Sequence, residues 1–277
     1  MGFRISTNIA SVNAQRNLGD SQMKIADSMA KLSSGSRINK AADDAAGLAI
    51  SENLKAQVRS TRQASRNASD GISMVQTAEG GLNELSTITT RLRELAMQSA
   101  SDTVGDTERG FLDKEVQQMK NEMQRISQST KWGSTGLLDG QTPSFDFQVG
   151  INNDDFADRI SYNGAENTAT IDALGLSGLD FKTKEGAQSA LGLLDSAQTN
   201  VNGMRANLGA LQNRLTSTVT NLGVAEENLS AANSRIRDTD VASATAEMTR
   251  NSILLQSATS TLAQANSKDQ LALKLIG

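Results

Sequence analysis

The chain has 277 residues and a formal net charge of −4, with no cysteine and no histidine. Those absences remove disulfides, a thiolate nucleophile, the commonest general base and the commonest transition-metal ligand, so no enzyme of ordinary type and no cofactor is expected. Cations are interspersed with acids rather than gathered into the basic stripe a nucleic-acid partner needs, and no apolar run reaches the roughly 18 residues of a membrane span.

Residues 3–32 carry Ile5, Ile9, Val12, Leu18, Ile25, Met29 and Leu32 in a background of Ala, Ser, Asn and Gln. This is weakly amphipathic helix, too thin to offset its own ordering entropy. Its start, "MGFRISTNIASVNAQRN", has no continuous apolar stretch to act as a secretory signal, which alone suggests a cytoplasmic protein. "KLSSGSRINKAADDAAGL" (31–48) interrupts the helical pattern. It lacks the G-x-x-x-x-G-K-[ST] order of a phosphate cradle. Asp43 and Asp44 are adjacent and would diverge on a helix, so capping of the next helix explains them better than catalysis. The stretch reads as a joint between helices.

From 48 to 100, Val75, Leu82, Leu85, Leu92 and Leu95 mark a stripe. After the loop at "DTVGD", Leu112, Val116, Met119, Met123 and Ile126 mark another between 105 and 127, with Asp106 and Thr107 as candidate N-caps. Residues 132–181 differ: Trp132, Phe145, Phe147, Phe156, Tyr162 and Phe181 concentrate there, with the single proline. "FDFQV" alternates as a half-buried strand does and Asn163–Gly164 signals a hairpin turn, so a small β element capping one end of the bundle is expected.

Heptads dominate the C-terminal half. Leu194, Val201, Leu208, Leu215, Leu222, Leu229 and Ile236 repeat every seventh residue, and Thr218 is the one polar member of the accompanying set three residues on. A helix over about 187–236 with such a seam needs partner helices, and three antiparallel helices bury the stripes together. After the break "RDTD" (237–240), residues 244–275 return to thin amphipathic helix with Met248, Leu255, Ala258, Leu262, Ala265 and Leu275. Both ends make sense if they pair with each other and with copies of themselves. The triplets at Asn67 and Asn228 match the N-glycosylation pattern but sit in helix, where chance explains them. The expected fold is mainly α, a long antiparallel helical bundle or coiled coil with a small β-hairpin region in mid-chain. Its divisions fall at 1–44, 45–131, 132–184, 185–236 and 237–277.

"LSSGSRINKAADDAAGLAIS" (32–51), "QASRNASDGISMVQTAEGGLNE" (63–84), "RLRELAMQSAS" (91–101), "NRLTSTVTNL" with "ENLSAANSRIRDTD" (213–240) and "LLQSATSTLAQAN" (254–266) closely resemble bacterial flagellin. The likeness covers roughly 1–140 and 185–277, and the short middle suggests a form without large outer domains. Many members have a proline soon after "AQAN", where Ser267, Lys268 and Asp269 stand here, so the family's conformation does not carry over to the last ten residues. The resemblance implies a structural subunit that polymerises with itself into the flagellar filament and serves motility. It also implies that the terminal helices form an inner tube, through Ile5, Ile9, Val12, Ile25, Leu32, Met248, Leu255 and Leu262, while the rod helices pack outside it. Export unfolded through the flagellar type III channel, guided by an export chaperone, is implied as well, and it overrides the cytoplasmic reading in favour of an extracellular filament. Filament-cap and hook-associated proteins would be further partners. "RLRELAMQSAS" resembles the stretch engaged by the flagellin-sensing Toll-like receptor of animal hosts, which implies Arg91, Leu95 and Gln98 as contacts with Glu115 on the next helix. A second reading, an adaptor at the hook–filament junction, shares such terminal helices, but the dense match over 63–101 favours flagellin.

Overall fold

The computed structural model describes residues 8–141 and 144–276, with 268–276 followed by their backbone alone. Among the described residues, five helices carry most of the chain: α1 (Ile9–Ser34), α2 (Ala45–Ser99), α3 (Asp106–Ser129), α4 (Lys184–Arg237) and α5 (Val241–Ile276). Between α3 and α4 lie β1 (Lys131–Trp132), β2 (Thr135–Gly136), β3 (Ser144–Gln148) and β4 (Arg159–Asn163). They form two separate antiparallel ladders, β1–β2 and β3–β4. Val58–Glu227 make one compact unit, while the residues up to Gln57 and from Asn228 make the other, so α2 and α4 contribute to both.

In the first unit the heptad stripes converge. Met74, Val75, Leu82, Leu85, Leu92 and Leu95 of α2 share one core with Val116 and Met123 of α3 and with Leu194, Val201, Leu208 and Leu215 of α4. Cross-helix pairs fix α2 and α4 as antiparallel: Arg93 meets Asp195 at 2.7 Å, Arg205 meets Glu79 at 3.9 Å, and Arg62 meets Glu226 at 2.6 Å. The seam changes character along α4. Leu194 to Leu215 are buried, whereas Thr218 and Leu222 are half-buried. α3 ends at Ser129, where Thr130 and Leu138 crowd Gly81 of α2, a level α4 passes near Arg205, so Leu208 to Leu215 stay buried beyond the third helix. The next seam residues, Leu229 and Ile236, belong to the other unit and are half-buried there.

The middle segment lies along the flank of these helices instead of capping an end. Asn67 of α2 donates to the Gln148 carbonyl (2.9 Å), and the Phe147 ring lies against Gly71, where a Cβ would stand 3.2 Å from it. Farther along, Gln124 accepts from the Ile171 amide (3.2 Å), Lys120 reaches the Ser177 carbonyl (2.7 Å), and Ser99 reaches the Phe181 carbonyl (2.7 Å). In the β3–β4 ladder Phe145 faces Tyr162 and Phe147 faces Ile160, which turns the aromatic face inward. Asn163–Gly164 is not the hairpin turn. It follows β4, and Asn163 accepts from the Ala165 amide in an Asx turn, while the ladder's own connection is the longer loop 149–158. The tight turn of the region is at Gly133, with φ +61°, between β1 and β2.

In the second unit α1 packs antiparallel on α5: Asn8 donates to the Ala265 carbonyl (3.0 Å) and Ser11 to Asn266 (2.9 Å). With no proline after "AQAN", α5 continues to Ile276.

Candidate assembly surfaces

The joint between α1 and α2 is built from backbone. Gly35 ends α1 in the left-handed region, with φ +67°, and its carbonyl accepts from the Thr239 amide (3.0 Å). The Arg37 amide donates to the Arg237 carbonyl (2.6 Å) and its guanidinium to the Ile236 carbonyl (2.8 Å). Arg237 in turn pairs with Glu52. Ile38 fills the interior of this elbow at 2% exposure. The two aspartates divide the work expected of both. Asp44 caps α2 by accepting from the Gly47 amide (2.8 Å), whereas Asp43 accepts from the Asn39 and Lys40 amides and closes the turn before it. Those two bonds hold the Asp43 carboxyl below its usual range. Asp240 caps α5 through the Ala242 amide (3.0 Å), while Asp238 accepts from Ser234 (2.7 Å).

The terminal pair has two faces. Ser11, Ala14, Leu18, Ser21, Ile25, Ser28 and Leu32 are the covered positions of α1, recurring at three–four spacing. Ala244, Met248, Asn251, Leu255, Ala258, Leu262 and Ala265 are the covered positions of α5. The deepest of these are Ala14 (7%), Ser28 (5%), Ala244 (8%) and Asn251 (5%), small or polar residues that aliphatic patterning passes over. Their signal is the spacing itself, since small side chains at seam positions let two helices approach closely. Ile25, Leu32, Met248, Leu255 and Leu262 lie half-buried in this seam. Ile9 and Val12 do not join them: they are 62% and 55% exposed, and with Met23 (66%) they form a stripe on the opposite side of α1. Val241, Ile253 and Leu254 are likewise exposed on α5. Ile5 lies outside the described residues.

On α2, Arg91 pairs with Glu94 (2.9 Å) and with Glu115 of α3 (3.2 Å), and these carboxylates raise the guanidinium's pKa further. Gln98 is exposed beside them. Leu95 departs from the expectation. It is 1% exposed within the core, so a folded subunit cannot offer it as a contact. Spacing of four and three puts it near the Arg91–Gln98 face, but on the edge turned toward the core that α2 shares with α3 and α4.

Two buried polar groups nearby were not singled out by sequence. Arg109 donates to the Ser99 carbonyl (2.9 Å), the Ser101 carbonyl (3.0 Å) and Asp106 (2.9 Å), tying the end of α2 to the start of α3. Asp106 therefore serves Arg109, and the α3 N-cap is Gly105, with no side-chain cap bond. Asp113 accepts from the Phe181 amide (3.3 Å) and fixes the return to α4. Among the described residues no three acidic, His or Cys side chains are grouped to hold a metal ion, and no helix is long and apolar enough to cross a membrane.

The terminal helices, with their exposed apolar residues, and the three-helix unit match models of known helical regions. Residues 5–142 match the bacterial flagellin N-terminal helical region, and residues 191–276 match the bacterial flagellin C-terminal helical region. The chain belongs to the bacterial flagellin family. A flagellin of Halalkalibacterium halodurans is 43% identical over 272 residues, covering 98% of this chain and 99% of the relative. A flagellar filament core protein of Brachyspira hyodysenteriae is 42% identical over 287 residues, with 98% and 99% covered. The crystal structure of Bacillus cereus flagellin superposes with a TM-score of 0.51 at 28% identity, covering 57% of this chain and 88% of that one. As a member of the flagellin family, the chain is a structural subunit of the bacterial flagellar filament and not an enzyme.

Proposed function

We infer that the subunit polymerises through its terminal helix pair, with α1 and α5 forming the inner tube of an extracellular filament and the 58–227 unit the outer layer. The observation that carries this reading is the exposed aliphatic stripe Ile9, Val12 and Met23, which faces away from α5 and is not covered by the described residues. Exposed aliphatics in a row on one helix face favour burial against another copy. The thin α1–α5 seam supports a further point: outside the filament the ends are unpaired, and they become helical as neighbours cover them. A chain with such ends suits export in an unfolded state, with an export chaperone on the C-terminal segment and cap and hook-associated proteins receiving it at the filament. For a host Toll-like receptor, the patch that remains available is Arg91, Glu94, Gln98 and Glu115, with Leu95 acting only as its buried support. Val12→Asp tests the central element. A charge in the stripe should abolish seeded polymerisation while leaving the melting of the 58–227 unit unchanged. Normal filaments from Val12→Asp would remove the stripe from the interface.

A further inference from the structure

The covered side of α5 is aliphatic or small except at one position: Asn251 stands in the seam between Met248 and Leu255. Asn251 is 5% exposed, and its side-chain Nδ2 is buried with no hydrogen-bond partner. A primary amide carries two N–H donors, and no group of the packed pair accepts from this one. Burying an amide donor unpaired opposes pairing, because the donor leaves water and regains nothing.

We propose that Asn251 sets the assembly threshold of the subunit: its unsatisfied amide keeps the α1–α5 pair from closing stably in the free chain, so that closure waits for neighbouring copies. The proposal rests on the polymerisation reading above and names the residue that tunes it. A polar residue at a coiled-coil seam position commonly fixes register by pairing with a polar counterpart, at a cost in stability. Here Nδ2 has no such partner, so only the loss of stability remains. The threshold is a gain for a protein that must not polymerise before it reaches the growing end. Because Nδ2 is enclosed within the pair, a neighbouring copy's acceptor cannot reach it from outside, and the amide acts against pairing in the filament and the monomer alike.

The test uses the full chain with Asn251→Leu, which fills the seam, and Asn251→Ala, which removes the amide and adds no bulk. Circular dichroism and limited proteolysis of the free subunit report pairing of the ends, and sedimentation after seeding gives the critical concentration. Removing an unsatisfied buried donor should shift the pairing equilibrium on the order of tenfold. Both variants should therefore gain helicity and protection of the ends in the free subunit, or polymerise at a critical concentration about tenfold lower. Unchanged helicity together with an unchanged critical concentration in both variants would overturn the proposal. So would a higher critical concentration for Asn251→Ala, which would mean that the amide is satisfied in the filament. If the unsubstituted chain forms no filament, the polymerisation reading fails, and the helicity and proteolysis arms still decide the role of Asn251.

Discussion

Leu215 is the last fully buried member of the α4 seam, 0% exposed in a core shared by three helices. Leu215→Ala should cost on the order of 2–5 kcal/mol and lower the melting temperature of the 58–227 unit. An unchanged melting temperature would mean the seam faces solvent. Tyr162 provides a second probe, because it is the only tyrosine in the chain. Its hydroxyl donates to the Leu137 carbonyl at 2.6 Å, and burial, with a smaller contribution from the Asp139 charge, pushes its pKa up to about 12. The neutral form is the one the fold favours, so this contribution to stability is complete below the ordinary pKa of 10.0 and is lost as pH rises toward about 12. Tyrosinate absorbance should stay absent through pH 10.0 and rise near pH 12 or together with unfolding. Ionisation near pH 10.0 with the helical spectrum intact would show that the ring is not buried on the helices.

At the scale of elements, the elbow depends on Gly35, whose positive φ ends α1 and aims its carbonyl at Thr239. No atom lies within 4 Å of where a Cβ would stand, so Gly35→Ala is opposed by backbone strain alone. That strain is about 1–2 kcal/mol, read as a lower melting temperature of the polymer; an unaltered polymer would mean the joint bends elsewhere. The helices themselves were legible in the sequence. The heptad period placed α4 to within three residues at its start, because a seam sustained over many turns has no other regular reading. Leu95 was legible as a member of the α2 stripe, and its burial there sets aside only the contact that the resemblance implied. Asn251 was not legible: it is polar, so a hydrophobic pattern skips it, and its burial follows from the closeness of α1. The place of the β3–β4 ladder was also out of reach, since alternation in "FDFQV" gives a strand but not the helix face it lies on. Asn163–Gly164 had the composition of a hairpin turn, yet its Asx bond to Ala165 used it after the strand instead.

For the whole molecule, the division of labour follows from how much apolar surface each part can bury. The 58–227 unit holds a continuous core of leucine, methionine and aromatic side chains, and is expected to stay folded when the ends are unpaired. The terminal pair buries alanines, serines and one unsatisfied asparagine, and leaves isoleucine, valine and methionine in solvent, so it needs copies of itself. That asymmetry supports the proposed assembly through the ends. The most direct measurement is electron microscopy of seeded, purified protein, comparing the full chain with one ending at residue 243. Long filaments are expected from the full chain, and from the shortened chain a folded rod that never polymerises. Long filaments from the shortened chain, or none from the full chain under the same seeding, would contradict assembly through the terminal pair.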